Sequence, residues 1–165
     1  MKNYSTKLSG QIGENLLVAE LGRRGFVAST LSGNVPDIDV LAYKDGKSIP
    51  IQVKTSKQGN LSVNADQYLN IEFSGEIQKV IGKKSDIEKT LIFVIIFIGE
   101  NHGEDRFYIC EQSFIQEVVF QNHQNFLKRH KGIRPKKPES THCSYSEEDI
   151  KSKRDNWDLI EKRFK

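Results

Sequence analysis

Two cysteines, Cys110 and Cys143, are all that these 165 residues contain. They are too few for a disulfide scaffold and lack metal-ligand spacing, so both are expected as reduced thiols. Long apolar runs are missing as well. The longest, Leu91 to Ile98, falls far short of the roughly 20 residues needed to cross a bilayer. Met1-Lys2-Asn3-Tyr4-Ser5 contains no apolar signal region. These absences argue against a membrane or secreted protein, and a soluble, cytoplasmic one is expected. Charge of one sign is scarce too: 25 Lys and Arg against 22 Asp and Glu leave a net charge of only +3. The overall balance is therefore a weak argument for nucleic acid. No internal repeat or low-complexity tract occurs.

What is present suits a globular chain. Hydrophobic residues make up 36% and charged residues 28%, slightly polar but not the composition of global disorder. The length predicts a single domain, 1–165, that buries about two-thirds of the surface its unfolded chain exposes. Ser9 to Gly25 reads as a helix, with Ser9 a candidate N-cap and Gly25 a stop. Phe26 to Thr30 reads as a short strand, and Leu31 to Pro36 as a loop. Leu61 to Phe73 contains extended structure, while Ser74 to Glu88 is polar and ambiguous. Thr90 to Ile98 has no polar alternation, so both its faces need cover, as in a central strand. Arg106 to Cys110 is its expected antiparallel partner. Gln112 to Arg129 reads as a long helix with Phe114, Ile115, Val118, Val119 and Phe126 on its apolar side. A last helix is expected over Glu147 to Phe164. These elements predict an α/β fold in which helices sandwich a mixed β-sheet.

The chemistry concentrates in one hairpin. Asp37-Ile38-Asp39-Val40-Leu41-Ala42-Tyr43 and Ile49-Pro50-Ile51-Gln52-Val53-Lys54 flank Lys44-Asp45-Gly46-Lys47. Asp-Gly between two β-rich runs signals a two-residue turn, because a type I′ turn needs positive φ at both central residues. Pairing Lys44 with Lys47 sets Asp39 opposite Gln52 and Asp37 opposite Lys54. Alternation then projects all four from one side of the sheet. Such a set is costly to bury unless its members pair or bind a cation. On the first helix, Gly10, Gly13, Glu14, Leu17 and Leu21 share a stripe. The two glycines would let that helix approach the sheet and turn Glu14 toward the same face. The simpler reading of Glu14 is a solvated residue near the positive end of the helix dipole. For Lys54 it is an ion pair with Asp37.

The order of helix acid, aspartate strand, hairpin and lysine strand resembles the PD-(D/E)XK nuclease superfamily. This is the restriction-endonuclease-like fold that includes archaeal Holliday junction resolvases and some homing endonucleases. Gly10-Gln11-Ile12-Gly13-Glu14 looks like that family's first helix and Asp39-Val40-Leu41-Ala42 like its metal-binding aspartate strand. Gln52-Val53-Lys54 stands where the (D/E)XK tripeptide would be. Pro36-Asp37 also spells the "PD", which leaves Asp37 and Asp39 as alternatives for the aspartate, Asp39 preferred because it begins the apolar strand. Gln52 departs from the pattern: an amide offers a cation only a carbonyl oxygen, although some members are similar in using glutamine there.

The resemblance implies a DNA endonuclease. Asp39, Glu14 and the Gln52 carbonyl oxygen, with Asp37 as a further acid, would hold Mg²⁺ or, in its place, Mn²⁺. The cation would polarise a phosphate and lower the pKa of a bound water. Lys54 would orient that water or stabilise charge on the phosphorane. DNA is the implied partner, and a homodimer would supply two sites for cutting two strands. Thr55, Ser56 and Lys57 follow the motif and read either as backbone contacts or as a polar strand end. Lys128, Arg129, Lys131, Arg134, Lys136 and Lys137, with no acid among them, form a candidate phosphate-contacting arm, or else a solvated helix end. His123, His130 and His142 read as surface residues, and Trp157 as core. The alternative function is a catalytically silent module of the same fold that binds nucleic acid or a protein.

Overall fold

A computed structural model describes residues 5–31, 36–57 and 59–165, with side chains from Leu8 onward. Helix α1 (Ser5–Arg23) is followed by strands β1 (Val27–Thr30), β2 (Val40–Lys44), β3 (Lys47–Ser56) and β4 (Asn60–Asn64). Then come β5 (Leu69–Ser74), β6 (Ile77–Lys83), β7 (Ile92–Phe97), β8 (Arg106–Glu111), α2 (Gln112–Arg129) and β9 (His142–Ser146). Two short helices, α3 (Glu147–Ile150) and α4 (Asp158–Lys162), complete the order. Among the described residues no helix is long and apolar enough to cross a membrane.

Five strands make one mixed sheet in the order β1-β2-β3-β7-β8. β3 and β7 run parallel, and the other neighbours are antiparallel. Asp45 and Gly46 have φ of 50° and 83°, the positive pair that the hairpin turn demands. Lys44 pairs with Lys47 and Val40 with Ile51, which is the expected register. The β4–β9 and β5–β6 pairs form two smaller antiparallel sheets.

β7 explains the layers. Ile92, Val94 and Ile96 join a core with Leu17 and Leu21 of α1, Ile51 and Val53 of β3, and Trp157. Phe93, Ile95 and Phe97 alternate into a second core with Tyr108, Ile115 and Val119 of α2, Cys143 and Tyr145. A strand apolar on both faces thus separates two covers. It is the fourth strand of five, and β3 holds the centre. α1 ends where expected, though by geometry rather than composition alone. Phe26 N–H donates to the Leu21 carbonyl and Gly25 N–H to the Gly22 carbonyl, both at 3.0 Å. Gly25 takes φ 79° as the left-handed residue of a Schellman stop.

Two expectations need correction, the start of α1 and the continuity of the last helix. α1 begins at Ser5, so Ser9 lies inside the helix and is not its cap. The ambiguous stretch from Ser74 contains β6, turned back on β5 through Gly75 at φ 59°. The expected loop from Leu31 to Pro36 falls largely on residues 32–35, outside those described. The helix over Glu147 to Phe164 is broken: Asp155 has φ 51°, its N–H donates to the Phe107 carbonyl, and Arg154 bridges Tyr108. Strand-like contact with β8 outweighs local helix propensity there. Trp157 is then free to lie against Phe107, ring centroids 5.3 Å apart. Its burial at 6% exposure agrees with the core reading.

Of the two glycines expected to bring α1 against the sheet, Gly13 does so and Gly10 does not. A Cβ on Gly13 would stand 2.0 Å from Thr55 Oγ1, whereas one on Gly10 would meet no described residue within 4 Å. Gly13→Ala should therefore destabilise by about 1–3 kcal/mol through overpacking. Gly10→Ala should be stabilising by up to about 1 kcal/mol through helix propensity. Urea denaturation midpoints of the two variants check this, and equal effects would contradict the packing.

Candidate active site

β2 begins only at Val40, paired with Ile51, while β3 continues to Ser56. The β2-side edge of β3 is therefore open from Gln52 onward, and a backbone N–H there needs an acceptor. Asp39, immediately before β2, supplies it. Its Oδ2 accepts from Val53 N–H at 2.7 Å and from the Gln52 side-chain amide. Asp39 N–H in turn donates to the Ile51 carbonyl at 3.0 Å, so backbone pins the residue from both sides.

The other candidates meet this carboxylate from different directions. α1 packs on the face of β3 that carries Ile51 and Val53. Alternation puts Gln52 and Lys54 on the opposite face, beside Phe93 and Ile95 of β7. Glu14 therefore does not share a face with Gln52 and Lys54, a correction to the expected convergence. It remains within electrostatic reach: its pKa is raised, first by burial and then by the charge of Asp39. Two carboxylates thus repel across the edge of β3.

Gln52 and Lys54 line a cleft of about 640 Å³ together with Asp37, Tyr68, Asp86, Glu88 and His142. Asp37 sits in a turn at φ 62°, so it is not the ladder partner of Lys54. Lys54 makes no ion pair with a described residue, and the simple Asp37–Lys54 pair is not formed. The charge of Asp37 is instead felt by Tyr68, whose hydroxyl is pushed up to about 12, mainly by burial. Among the described residues three acids and one lysine line this cleft, a balance that favours cations. Among the described residues no group of three or more His, Cys, Asp or Glu is arranged to hold a metal ion. A cation held by Asp39 and Glu14, neither of which lines this cleft, would depend on an amide, water or substrate oxygen besides them.

The residues after the motif divide. Thr55 Oγ1 is buried under Gly13 with no partner among the described residues, so it is no substrate contact. Ser56 Oγ donates to the Asn60 carbonyl at 2.8 Å, and Lys57 is exposed. Within the basic segment Lys128, Arg129, Lys131, Lys136 and Lys137 are exposed. Arg134 is turned inward: it stacks 4.5 Å from the Phe126 ring centroid and donates to the His142 carbonyl. His123 is also misread as a surface residue, because it is 1% exposed. Both cysteines are free thiols. Tyr68, Asp86, Glu88 and His142 join the cleft with no motif in the sequence to mark them. Buried Cys143 and Tyr145 alternating with exposed His142 and Ser144 was the signal for β9 and hence for His142. The two acids carried none.

A central mixed sheet, a helix layer on each face and a polar cluster where the hairpin ends define a restriction-endonuclease-like α/β fold. The chain is similar to the structure of a bacterial homing endonuclease, I-Ssp6803I. Identity is 16%, covering 96% of this chain and 95% of that one, with a TM-score of 0.52. A Holliday junction resolvase from an archaeal hyperthermophile, Archaeoglobus fulgidus Hjc, is similar at 16% identity, covering 87% of this chain and 88% of that one, with a TM-score of 0.43. No protein-family model and no curated protein matches the chain.

Asp39→Asn should lower the pKa of Glu14 by removing the second cause of its rise. Burial persists, so the value should remain above 4.5, the ordinary carboxylate value. A ¹³C NMR titration of the Glu14 carboxyl reads this directly, and an unchanged curve would show that the two acids do not interact.

Proposed function

We propose that this protein is a Mg²⁺-dependent endonuclease hydrolysing phosphodiester bonds in DNA. The observation that carries the reading is the Asp39 carboxylate, held by Val53 N–H and the Gln52 amide and sensed by Glu14. Such a donor set fits a hard cation, since Mg²⁺ commonly takes one or two carboxylates and completes its shell with water and substrate phosphate. Asp39 and Glu14 would hold it, Gln52 would present Oε1 once its amide turns over, and Asp37 would stand by in the cleft. A cation there supplies Lewis-acid polarisation of a phosphate and a more acidic water, with Mn²⁺ able to replace Mg²⁺. Lys54 places a positive charge in the cleft that Gln52 and Asp37 also line, suited to stabilising a phosphate as negative charge develops. The exposed Lys128, Arg129, Lys131, Lys136 and Lys137 would grip backbone phosphates. The shared fold of a homing endonuclease supports the class of reaction.

A silent binding module is the second reading, and one observation favours it. The Gln52 amide donates to Asp39, so the carboxylate is satisfied without a cation.

Cleavage of plasmid, linear, branched and single-stranded DNA with Mg²⁺ or Mn²⁺ separates the two. Asp39→Ala and Lys54→Ala should each lose about 100-fold or more in rate with circular dichroism unchanged, and Gln52→Glu should retain or gain activity. Silence of both the wild type and Gln52→Glu on all four substrates would establish the binding module instead.

A further inference from the structure

His142 lines two cavities, the acidic cleft on one side and a second space of about 580 Å³ on the other. That volume lies within the range of about 300–1,000 Å³ typical of small-ligand sites. α2 contributes Asn122, His123, Asn125 and Arg129 to its wall, and Arg134 faces them from the following loop. Among the described residues no carboxylate lines it, in contrast to the neighbouring cleft. Asp66, whose charge reaches His123, accepts from Thr141 Oγ1 at 2.7 Å and is not part of the wall.

Buried polar groups here are left without partners. His123 is 1% exposed, yet among the described residues neither Nδ1 nor Nε2 has a hydrogen-bond partner, and the buried Arg134 Nε lacks one too. Native structures leave few such groups unpaired, and each calls for a cause. Arg134 is pre-positioned by its stacking on Phe126 and its bond to the His142 carbonyl. Arg129 is steered by its Nε bond to the Asn125 carbonyl at 3.3 Å. Burial, and then the charge of Arg134, lower the His123 pKa to about 4. At neutral pH the ring is therefore uncharged and offers one N–H donor and one acceptor.

We propose that this cavity binds an oxyanion of the phosphate class, held by the Arg129 and Arg134 guanidinium groups with His123 as a neutral donor. Paired arginines suit the geometry and charge of phosphate better than any other side chains. The phosphate can come from a free phosphorylated small molecule or from a polynucleotide backbone lying across His142. The site does not rest on the nuclease reading, and its test needs no cleavage.

Calorimetric titrations of the full chain with divalent metal chelated provide that test. The probes are inorganic phosphate, a nucleoside 5′-monophosphate and a short oligodeoxynucleotide without terminal phosphates. Arg129→Gln, on an exposed residue, and His123→Leu should each weaken binding about tenfold or more. Binding of phosphate or the mononucleotide with this pattern supports a free phosphorylated ligand. Binding of the oligonucleotide alone, with the same losses, supports the backbone. His123→Leu should also raise the thermal midpoint in oxyanion-free buffer, because it removes unpaired polar atoms from the interior. Should that variant fail to fold, saturable shifts of the His123 ring resonances in the wild type give the same reading. Absence of binding to all three probes, or binding indifferent to His123, would overturn the proposal.

Discussion

Ile92 to Phe97 is buried at every residue, and a strand that is apolar on both faces is stable only between two hydrophobic layers. Most of the architecture answers that requirement. α1 and the Trp157 segment close one side, while α2 with the β4–β9 pair closes the other. β3, lying parallel beside β7, inherits the same environment: Ile51 and Val53 enter the first core, and Gln52 sits buried on the opposite face. A polar side chain in that setting must find a partner or pay a desolvation penalty.

The partner is available because β2 is shorter than β3. Where β2 has not yet begun, the exposed edge of β3 offers the Val53 N–H, and Asp39 reaches it. This one contact satisfies a backbone donor, anchors a carboxylate and gives the Gln52 amide its acceptor. The tight packing of Gly13 on Thr55 brings α1 near enough for Glu14 to feel that charge. Acids thus approach each other because backbone geometry holds them there, at an electrostatic cost that a cation would offset.

His142 divides two spaces of opposite character. The cleft on the Lys54 side has an acidic surplus, while the space beneath α2 is lined by arginine and neutral polar groups. The loop after α2 creates this contrast by folding Arg134 back onto Phe126 instead of extending it into solvent like Lys136 and Lys137. A run of cations that looks uniform along the chain is therefore split between surface charge and a structured cavity wall.

Local chemistry determined the pieces that depend on local chemistry. Asp45-Gly46 imposes positive φ and with it the hairpin register, the unbroken apolar pattern of β7 requires cover on both faces, and α2 spans the periodic stretch from Gln112 to Arg129. The aspartate, glutamine, lysine and glutamate of the candidate site were all legible as residues. Their mutual placement was not. Tertiary structure alone decided that β2 begins too late for Asp37 to pair with Lys54, that α1 lies on the face opposite Gln52 and Lys54, and that His123 is buried. It also decided that contact with β8 breaks the last helix at Asp155. Propensity and periodicity report on neighbours along the chain, whereas strand ends, the face a helix covers and the burial of one histidine are set by contacts between segments tens of residues apart.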